Sequence, residues 1–242
     1  MIVLYTDFSV NGPYVGQMKS VIKANKQNVN IIDLMHDVPE YNIQAAAYLL
    51  ASLIHSFEKN TVFLAVVDPG VGSTQRKPCV IKTKDHWFVG PDNGLFNRVV
   101  MDSASYHCWE IDWQPNSLSD SFHGRDLFAP VAAQIENSQC FEGIPYQLLI
   151  DEDDWPESLF KVIYCDNFAN VMTGVKANSV AKSDSFSING HKLSYARIFS
   201  EVPEGQAFWY INSNGLVEFS VNKGRAEQIL HIEIGNGFTL DR

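Results

Sequence analysis

The stretch TVFLAVVDPGVG, residues 61–72, decides the fold. Its first seven residues form a continuous apolar run rich in β-branched side chains, which is typical of a strand buried on both faces of a sheet. An aspartate follows the run directly, and a tight Pro-Gly-Val-Gly turn follows the aspartate. Ligands of open α/β sheets bind at the carboxyl ends of such strands. The stretch therefore predicts an α/β domain with a candidate site beside Asp68.

The chain around this run alternates between strand and helix patterns. Strands are predicted at 2–6, 30–34, 79–83 and 86–90, and helices at 14–24, after the capping residue Asn42, and after Gly124. Alternating strands and helices imply a mainly parallel sheet with right-handed crossovers.

The acidic, proline-ended segment DEDDWP, residues 151–156, interrupts this alternation. Beyond it the hydrophobic period becomes two, and the Asn-Gly pairs at 189–190 and 214–215 each lie between two strand patterns. Asn-Gly is a strong hairpin signal because type I′ turns need positive φ at both central positions. We therefore predict an N-terminal α/β domain (1–150), a linker (151–160) and a smaller C-terminal antiparallel β domain (161–242).

Composition argues against several classes of protein. The 242 residues carry a net charge of −10 with scattered Lys and Arg, so we expect no nucleic-acid partner. The longest apolar stretch, 45–54, is too short to cross a bilayer, so we expect no membrane partner. We find no secretory signal pattern, and the four cysteines lie far apart without CxxC spacing. A cytoplasmic protein with reduced thiols is the resulting expectation.

Acidic residues collect where the first three predicted strands end: Asp7, then Asp33 and Asp37, then Asp68. A single aspartate at such a place is usually a turn or cap residue, but a succession along one sheet edge favours a site. The loops PDNG (91–94) and FHGRD (122–126) add further polar groups, the second at a predicted helix start. A divalent metal would also suit these acids and His123, although no HExxH or DxD spacing supports one.

Taken together, these segments resemble the SAM hydrolases, the S-adenosyl-L-methionine (SAM) hydroxide adenosyltransferase family, which are relatives of the SAM-dependent fluorinase and chlorinase. The resemblance runs from Tyr5 to Leu240. It is carried by TDF (6–8), YVG (14–16), DLMHDVP (33–39), VVDPGVG (66–72), Arg76, GPDNGL (90–95), FHGRD (122–126) and NS (212–213).

The resemblance implies hydrolysis of SAM to adenosine and methionine, without a cofactor or metal. It also implies a C-terminal barrel-like domain and a homotrimer, in which SAM lies between the N-terminal domain of one subunit and the C-terminal domain of a neighbour. Asp68, Arg76 and His123 match the family's water-holding triad. Asp7 would bind the ribose hydroxyls and Tyr41 would line the ribose and adenine side. Phe168, Asn170 and Tyr195 would line the adenine pocket, and Asp166 and Ser213 would meet the methionine amino and carboxylate groups.

Two residue types separate the hydrolases from the halogenases, which place Tyr at Asp68 and a halide-binding Ser at Gly124. The chain also departs from the family at several positions. Ser9 follows the TDF motif where the family has Gly, and Gly12 replaces an Asp. Ala169 replaces a Gly, and Gly174 replaces an Asn. A non-catalytic SAM or adenosine sensor, a metal-dependent hydrolase and a halogenase remain the alternatives.

Overall fold

The computed structural model describes residues 1–74 and 76–242. The chain forms two compact units, one of Met1–Ala47 with Ser56–Ile150 and the other of Tyr48–His55 with Asp151–Arg242. Within the described residues, no helix is long and apolar enough to span a membrane.

The N-terminal unit contains a seven-stranded mixed sheet with the order β2-β1-β3-β5-β4-β6-β7. The strands are β1 (Ile2–Thr6), β2 (Ile31–Met35), β3 (Val62–Val66), β4 (Lys77–Thr83), β5 (Trp87–Asp92), β6 (Tyr106–Ile111) and β7 (Gly143–Pro145). The four strands β2, β1, β3 and β5 pair in parallel, and the other three extend the sheet antiparallel. The α/β prediction with a parallel core is confirmed, and β3 is buried at every position.

Helices connect the strands of this sheet. They are α1 (Tyr14–Asn25), α2 (Ile43–Leu53), α3 (Asn97–Met101) and α4 (Ala129–Glu136), the last preceded by a π-helical turn at Gly124–Phe128. Asn42 caps α2 as predicted, because its Oδ1 accepts a hydrogen bond from the Ala45 amide at 3.0 Å. Met18 of α1 and Phe128 are fully buried in the same core as Leu4 of β1.

The C-terminal unit contains a second seven-stranded sheet, mostly antiparallel and curled into a half-barrel, with the order β14-β10-β11-β12-β13-β9-β8. Its strands are β8 (Leu159–Cys165), β9 (Val171–Lys176), β10 (Ser185–Ile188), β11 (His191–Tyr195), β12 (Ala207–Ile211), β13 (Leu216–Val221) and β14 (Thr239–Asp241); α5 is Ala226–Ile229. Both predicted hairpins are confirmed as the pairs β10–β11 and β12–β13. Asn189 and Gly190 both have positive φ, as a type I′ turn requires.

Candidate active site

Asp68 and Arg76 form a buried ion pair just beyond the carboxyl end of β3. Arg76 Nε donates to Asp68 Oδ1 at 3.1 Å, and Arg76 Nη2 donates to the other carboxylate oxygen. Both side chains are nearly inaccessible to solvent, with 6% and 4% exposed. This two-pronged contact fixes the carboxylate plane as a single ammonium group could not. The sequence motif that ends the buried strand therefore holds an oriented carboxylate.

His123 joins this pair through the same guanidinium. Arg76 Nη2 lies 3.1 Å from His123 Nδ1, and the guanidinium carbon lies 5.4 Å from the centre of the Phe128 ring. Guanidinium nitrogens can only donate, so Nδ1 must be the unprotonated acceptor. The neutral ring then carries its hydrogen on Nε2. Thus the structure brings together all three members of the predicted triad and selects one tautomer of the histidine.

Burial and charge shift both titratable members of the triad. Desolvation raises the pKa of Asp68 above its ordinary value, against the lowering effect of the Arg76 charge and hydrogen bonds. Desolvation, followed by the positive charge of Arg76, lowers the pKa of His123, although Asp68 opposes that shift. The site therefore combines a carboxylate of increased basicity with a histidine that is neutral at pH 7.

Two loop contacts fix the triad geometry. Gly72 has φ of +80°, and a Cβ there would lie 2.5 Å from the carbonyl oxygen of Asp120, so only glycine allows this loop to approach the segment that precedes His123. Asn93 donates from Nδ2 to the carbonyl of Val67 at 2.9 Å, and its Oδ1 accepts from the Leu95 amide at 3.2 Å. Because Val67 immediately precedes Asp68, Asn93 anchors the end of the strand that carries the carboxylate.

The residues of the FHGRD motif make two separate sets of contacts. His123 contacts Arg76 of the triad. Arg125 instead donates to its neighbour Asp126, from Nε to Oδ1 at 2.6 Å and from Nη2 to Oδ2 at 2.9 Å. Asp126 also accepts from the Ser119 amide at 3.0 Å. The Arg125–Asp126 pair therefore closes the loop before the π-helical turn, a kind of helical irregularity that is frequent at functional sites.

Asp7 lies at the end of β1 beside a chain of hydrogen-bonded polar side chains, of which Thr6 and His36 are buried. Thr6 Oγ1 lies 2.7 Å from His36 Nδ1, and His36 Nε2 lies 3.0 Å from Asp33 Oδ1. Lys19 Nζ completes the chain at Asp33 Oδ2, 2.5 Å away. Burial raises the pKa of Asp33, but the hydrogen bonds from His36 and Lys19 leave it below its usual value. This chain ties the ends of β1 and β2 together next to Asp7.

Asp7 itself has a strongly shifted ionisation. Desolvation raises its pKa to about 6; a backbone hydrogen bond opposes the shift, and the negative charges of Glu40 and Asp68 add to it. The carboxylates of Asp7 and Asp68 therefore lie within electrostatic reach of each other. Tyr41, from the same unit, is 75% exposed and has φ of +58°, an unusual conformation for a bulky residue.

In the C-terminal unit, Asp166 and Asn170 form one hydrogen-bonded loop. Asp166 Oδ1 accepts from the amides of Phe168 and Asn170 at 2.9 and 2.8 Å, and Asn170 Nδ2 donates to Asp166 Oδ2 at 3.0 Å. This arrangement leaves the Phe168 ring 80% exposed. Phe168 and Asn170 border a cavity of about 540 Å³, whose other lining residues are Phe199, Val221, Lys223, Gly224 and Arg225.

Two predicted ligand residues, Tyr195 and Ser213, do not line this cavity. Tyr195 packs against the C-terminal core, with its ring centre 4.9 Å from that of Trp209, and is not among the residues that line the cavity at Phe168. Ser213 is exposed at the tip of the β12–β13 hairpin. Asp166, Phe168 and Asn170 thus share one hydrogen-bonded loop, and the ligand roles of Tyr195 and Ser213 stay predictions.

Metal ligation was a further possibility for the acids and histidines. Across residues 1–74 and 76–242, no group of three or more His, Cys, Asp or Glu side chains is arranged to hold a metal ion.

Comparison with known protein families shows which family this chain matches. The N-terminal domain of the SAM hydroxide adenosyltransferases matches residues 2–145, and the C-terminal domain of the same family matches residues 160–239. The chain belongs to the SAM hydroxide adenosyltransferase family. The domain boundaries at 150 and 160 stay a prediction.

Individual members of the family match nearly end to end. The (R)-S-adenosyl-L-methionine hydrolase of Methanocaldococcus jannaschii is 34% identical, over 96% of this chain and 92% of its own length. The enzyme of the same name from Thermus thermophilus is 30% identical, over 95% of each chain. A crystal structure of an uncharacterized conserved protein from Thermotoga maritima superposes with a TM-score of 0.88 at 32% identity, covering both chains fully. A fluorinase from Actinopolyspora mzabensis is more distant, at 21% identity over 92% of this chain and 90% of its own.

Proposed function

We propose that this chain hydrolyses S-adenosyl-L-methionine to adenosine and L-methionine. The single observation that carries the proposal is the contact of Asp68 and His123 with one shared guanidinium, that of Arg76. Family membership and the names of the relatives support the substrate. The oxygen of a water attacks the ribose 5′ carbon, the carbon–sulfur bond breaks with its electron pair moving to sulfur, and neutral methionine leaves.

Asp68 is the general base in this proposal. Making free hydroxide at pH 7 would cost about 12 kcal/mol, so a positioned base that takes the proton as the new bond forms is a large advantage. Asp68 accepts hydrogen bonds from Arg76 on both oxygens and one from the Gly70 backbone amide, and the carboxylate retains acceptor capacity for the water. His123 has its Nδ1 occupied by Arg76, so its Nε2 hydrogen can donate to the water oxygen and orient it.

Arg76 keeps Asp68 charged and oriented while limiting its basicity. Burial acts in the opposite direction and raises the pKa of Asp68, so the carboxylate remains a useful base. A water-excluding pocket also favours this reaction, because the negative charge that develops on the oxygen and the positive sulfonium cancel in the transition state. No metal takes part in the proposed step, and activity should therefore survive EDTA.

Asp68 and Gly124 favour a hydrolase over a halogenase. A carboxylate at Asp68 would repel a halide ion, whereas beside a water it can accept a proton. At Gly124, an added Cβ would lie 3.3–3.4 Å from the side chains of Phe122, Met18 and Phe8, so a serine there would be crowded.

The test is adenosine release from SAM by the wild-type protein and by triad variants. Asp68→Asn should lose at least about 100-fold in kcat, because the base is removed while its shape is kept. His123→Gln should lose less, since the glutamine amide can still donate to the water. Equal rates in the wild type and Asp68→Asn would refute the triad, and a wild type that binds SAM without releasing adenosine would indicate the sensor. A requirement for chloride or fluoride, with a 5′-halo product, would indicate the halogenase.

The names of the relatives also specify the configuration at sulfur. We expect this chain to consume the R epimer of the sulfonium in preference to the S epimer. Incubating an epimer mixture and following both forms by chromatography tests this expectation; preferential loss of the S form would contradict it.

A further inference from the structure

Glu218 is a buried carboxylate in β13, a strand whose other residues are apolar except for Ser220. In β13 the side chains of Val217, Phe219 and Val221 enter the C-terminal core, so Glu218 and Ser220 lie on the opposite face of the sheet. Glu218 is nevertheless only 3% exposed. A carboxylate at such a place is costly unless hydrogen bonds satisfy it.

Two neutral donors satisfy Glu218. Tyr210, its cross-strand partner in β12, donates from its hydroxyl to Oε1, and Asn212 donates from Nδ2 to Oε2 at 2.8 Å. Among the described residues, no Lys or Arg side chain lies within ion-pair distance of Glu218. Burial raises the pKa of Glu218, the two hydrogen bonds lower it, and the charge of Asp166 raises it further.

The Asn212 amide links Glu218 to the hairpin tip. Asn212 Oδ1 accepts from the backbone amides of Asn214 and Leu216 at 3.0 and 3.1 Å. Because a carboxylate can face only the donor end of an amide, Glu218 forces the oxygen of Asn212 toward the turn. The turn that this oxygen closes carries Ser213 at its exposed tip.

The next residue on the same face, Ser220, supports the other ligand loop. Ser220 Oγ donates to Asn170 Oδ1 at 2.7 Å, and Asn170 in turn donates to Asp166 at 3.0 Å. One face of β13 therefore supports both the Asn212–Ser213 turn and the Asp166–Asn170 loop, each through a single side chain.

From this geometry we infer that Glu218 is a positioning residue for the methionine end of the substrate, which it serves by fixing the Asn212 amide and the turn that presents Ser213. The inference rests on the proposed function and on the role that the family resemblance implies for Ser213, which is contact with the methionine carboxylate. Among the described residues, the hydrogen-bond partners of the Glu218 carboxylate are Tyr210 and Asn212, so Glu218 acts through Asn212 and not on the reacting atoms.

The experiment compares Glu218→Ala with Glu218→Gln. The alanine variant should raise KM for SAM at least tenfold, with kcat within threefold and the Kd for adenosine within twofold of wild type. The glutamine variant should remain within threefold in KM, because its oxygen can face Asn212 and its NH2 group can donate to the Tyr210 oxygen. Ser220→Ala is the matched control on the same face: it should weaken adenosine binding through Asn170.

Several results would overturn the inference. One is a loss of adenosine binding in Glu218→Ala equal to its rise in KM, and another is a glutamine variant as impaired as the alanine variant. Should Glu218→Ala fail to fold, Asn212→Asp replaces it: its carboxylate cannot donate to Glu218, and it should show the same rise in KM. Calorimetry with SAM measures these effects as Kd even if the wild type releases no adenosine, so failure of the hydrolase proposal stays distinguishable.

Discussion

At the scale of single residues, Asp7 combines an expected binding role with an unusual ionisation. A charged carboxylate accepts hydrogen bonds from both ribose hydroxyls, whereas its protonated form loses part of that capacity. Since burial raises the pKa of Asp7 to about 6, the charged fraction falls about tenfold between pH 7 and pH 5. We expect the Kd for adenosine, measured by calorimetry, to rise as pH falls through 6, by up to about tenfold at pH 5.

Two variants separate Asp7 from the other acids of the site. Asp7→Asn should bind adenosine weakly at every pH, and Asp68→Asn should keep the wild-type pH dependence. The pH dependence of protein stability provides an independent check of the direction of the Asp7 pKa shift. A raised pKa makes the ionised form unfavourable in the folded state, so the penalty is absent below about 3.8 and complete above about 6. Asp7→Asn should therefore stabilise the protein at pH 8, by about 1 kcal/mol after screening, and have no such effect at pH 3.5.

At the scale of elements, backbone conformation shows how two departures from the family are accommodated. Ser9 has φ of +59° and Ala169 has φ of +63°, the left-handed region in which the family's glycines are free of strain. The chain retains this conformation with side chains that tolerate it less well. The loop geometry is therefore fixed by its surroundings, which include the Asp166 hydrogen bonds around Ala169.

Gly174 and Gly12, the other two departures, should respond oppositely when the family residue is restored. At Gly174 in β9, a Cβ would lie 2.6 Å from Leu159 Cβ and 2.9 Å from its carbonyl oxygen, so Gly174→Asn should lower the free energy of unfolding by about 1–3 kcal/mol. At Gly12 the nearest atoms to a Cβ are 3.4 Å away or more, so Gly12→Asp should fold normally. It should also lower KM for SAM severalfold, because the family resemblance implies that an Asp at this position contacts the methionine amino group.

Chemical denaturation and steady-state kinetics check both substitutions, with Gly12→Asn as the uncharged control. A Gly174→Asn protein as stable as wild type would mean that β8 and β9 can separate at this point. If Gly12→Asp and Gly12→Asn have the same KM, a carboxylate at position 12 does not bind the methionine ammonium.

Local sequence signals predicted some elements and missed others for a physical reason. Strand β3 and both Asn-Gly hairpins depend on composition and turn chemistry within a few residues, and they were found. Strands β6 and β7 are absent from the predictions, because β6 pairs with β4 and β7 pairs with β6 across long stretches of chain. The same limit applies to the site. Asp68 follows from its strand, but its link to His123 through Arg76 depends on long-range packing that only the family resemblance could supply.

The sequence around Glu218 contains a local signal that does not by itself define the environment of the side chain. A charged residue in the middle of the apolar run LVEFSV, residues 216–221, indicates either an exposed face or a buried contact with a purpose. Only the folded structure distinguishes the two, because the run alone does not indicate whether the face opposite the core is covered. Asn93 is similar, since the turn PDNG is apparent in sequence whereas its bond to Val67 is not.

At the scale of the whole molecule, the homotrimer implied by the family resemblance is a proposal that mass and mixing experiments can test. Three chains of 27.2 kDa give about 82 kDa, which light scattering on the purified protein measures directly. Two aromatic residues with proposed ligand roles, Tyr41 and Phe168, are largely exposed in the single chain, 75% and 80% respectively. Large exposed aromatics of this kind are typical of surfaces that become covered by a ligand or a neighbouring subunit.

Co-expression of two inactive variants tests whether each active site draws on two subunits. Asp68→Asn disables the N-terminal unit, and Phe168→Ala combined with Asn170→Ala disables the C-terminal unit. If each site combines the N-terminal unit of one chain with the C-terminal unit of its neighbour, random mixing in a ring restores about one quarter of the wild-type activity per site. If each chain builds its own site, every site carries a lesion and the mixture stays inactive. Adenosine release from the co-expressed protein, compared with each variant alone, therefore decides between the two arrangements.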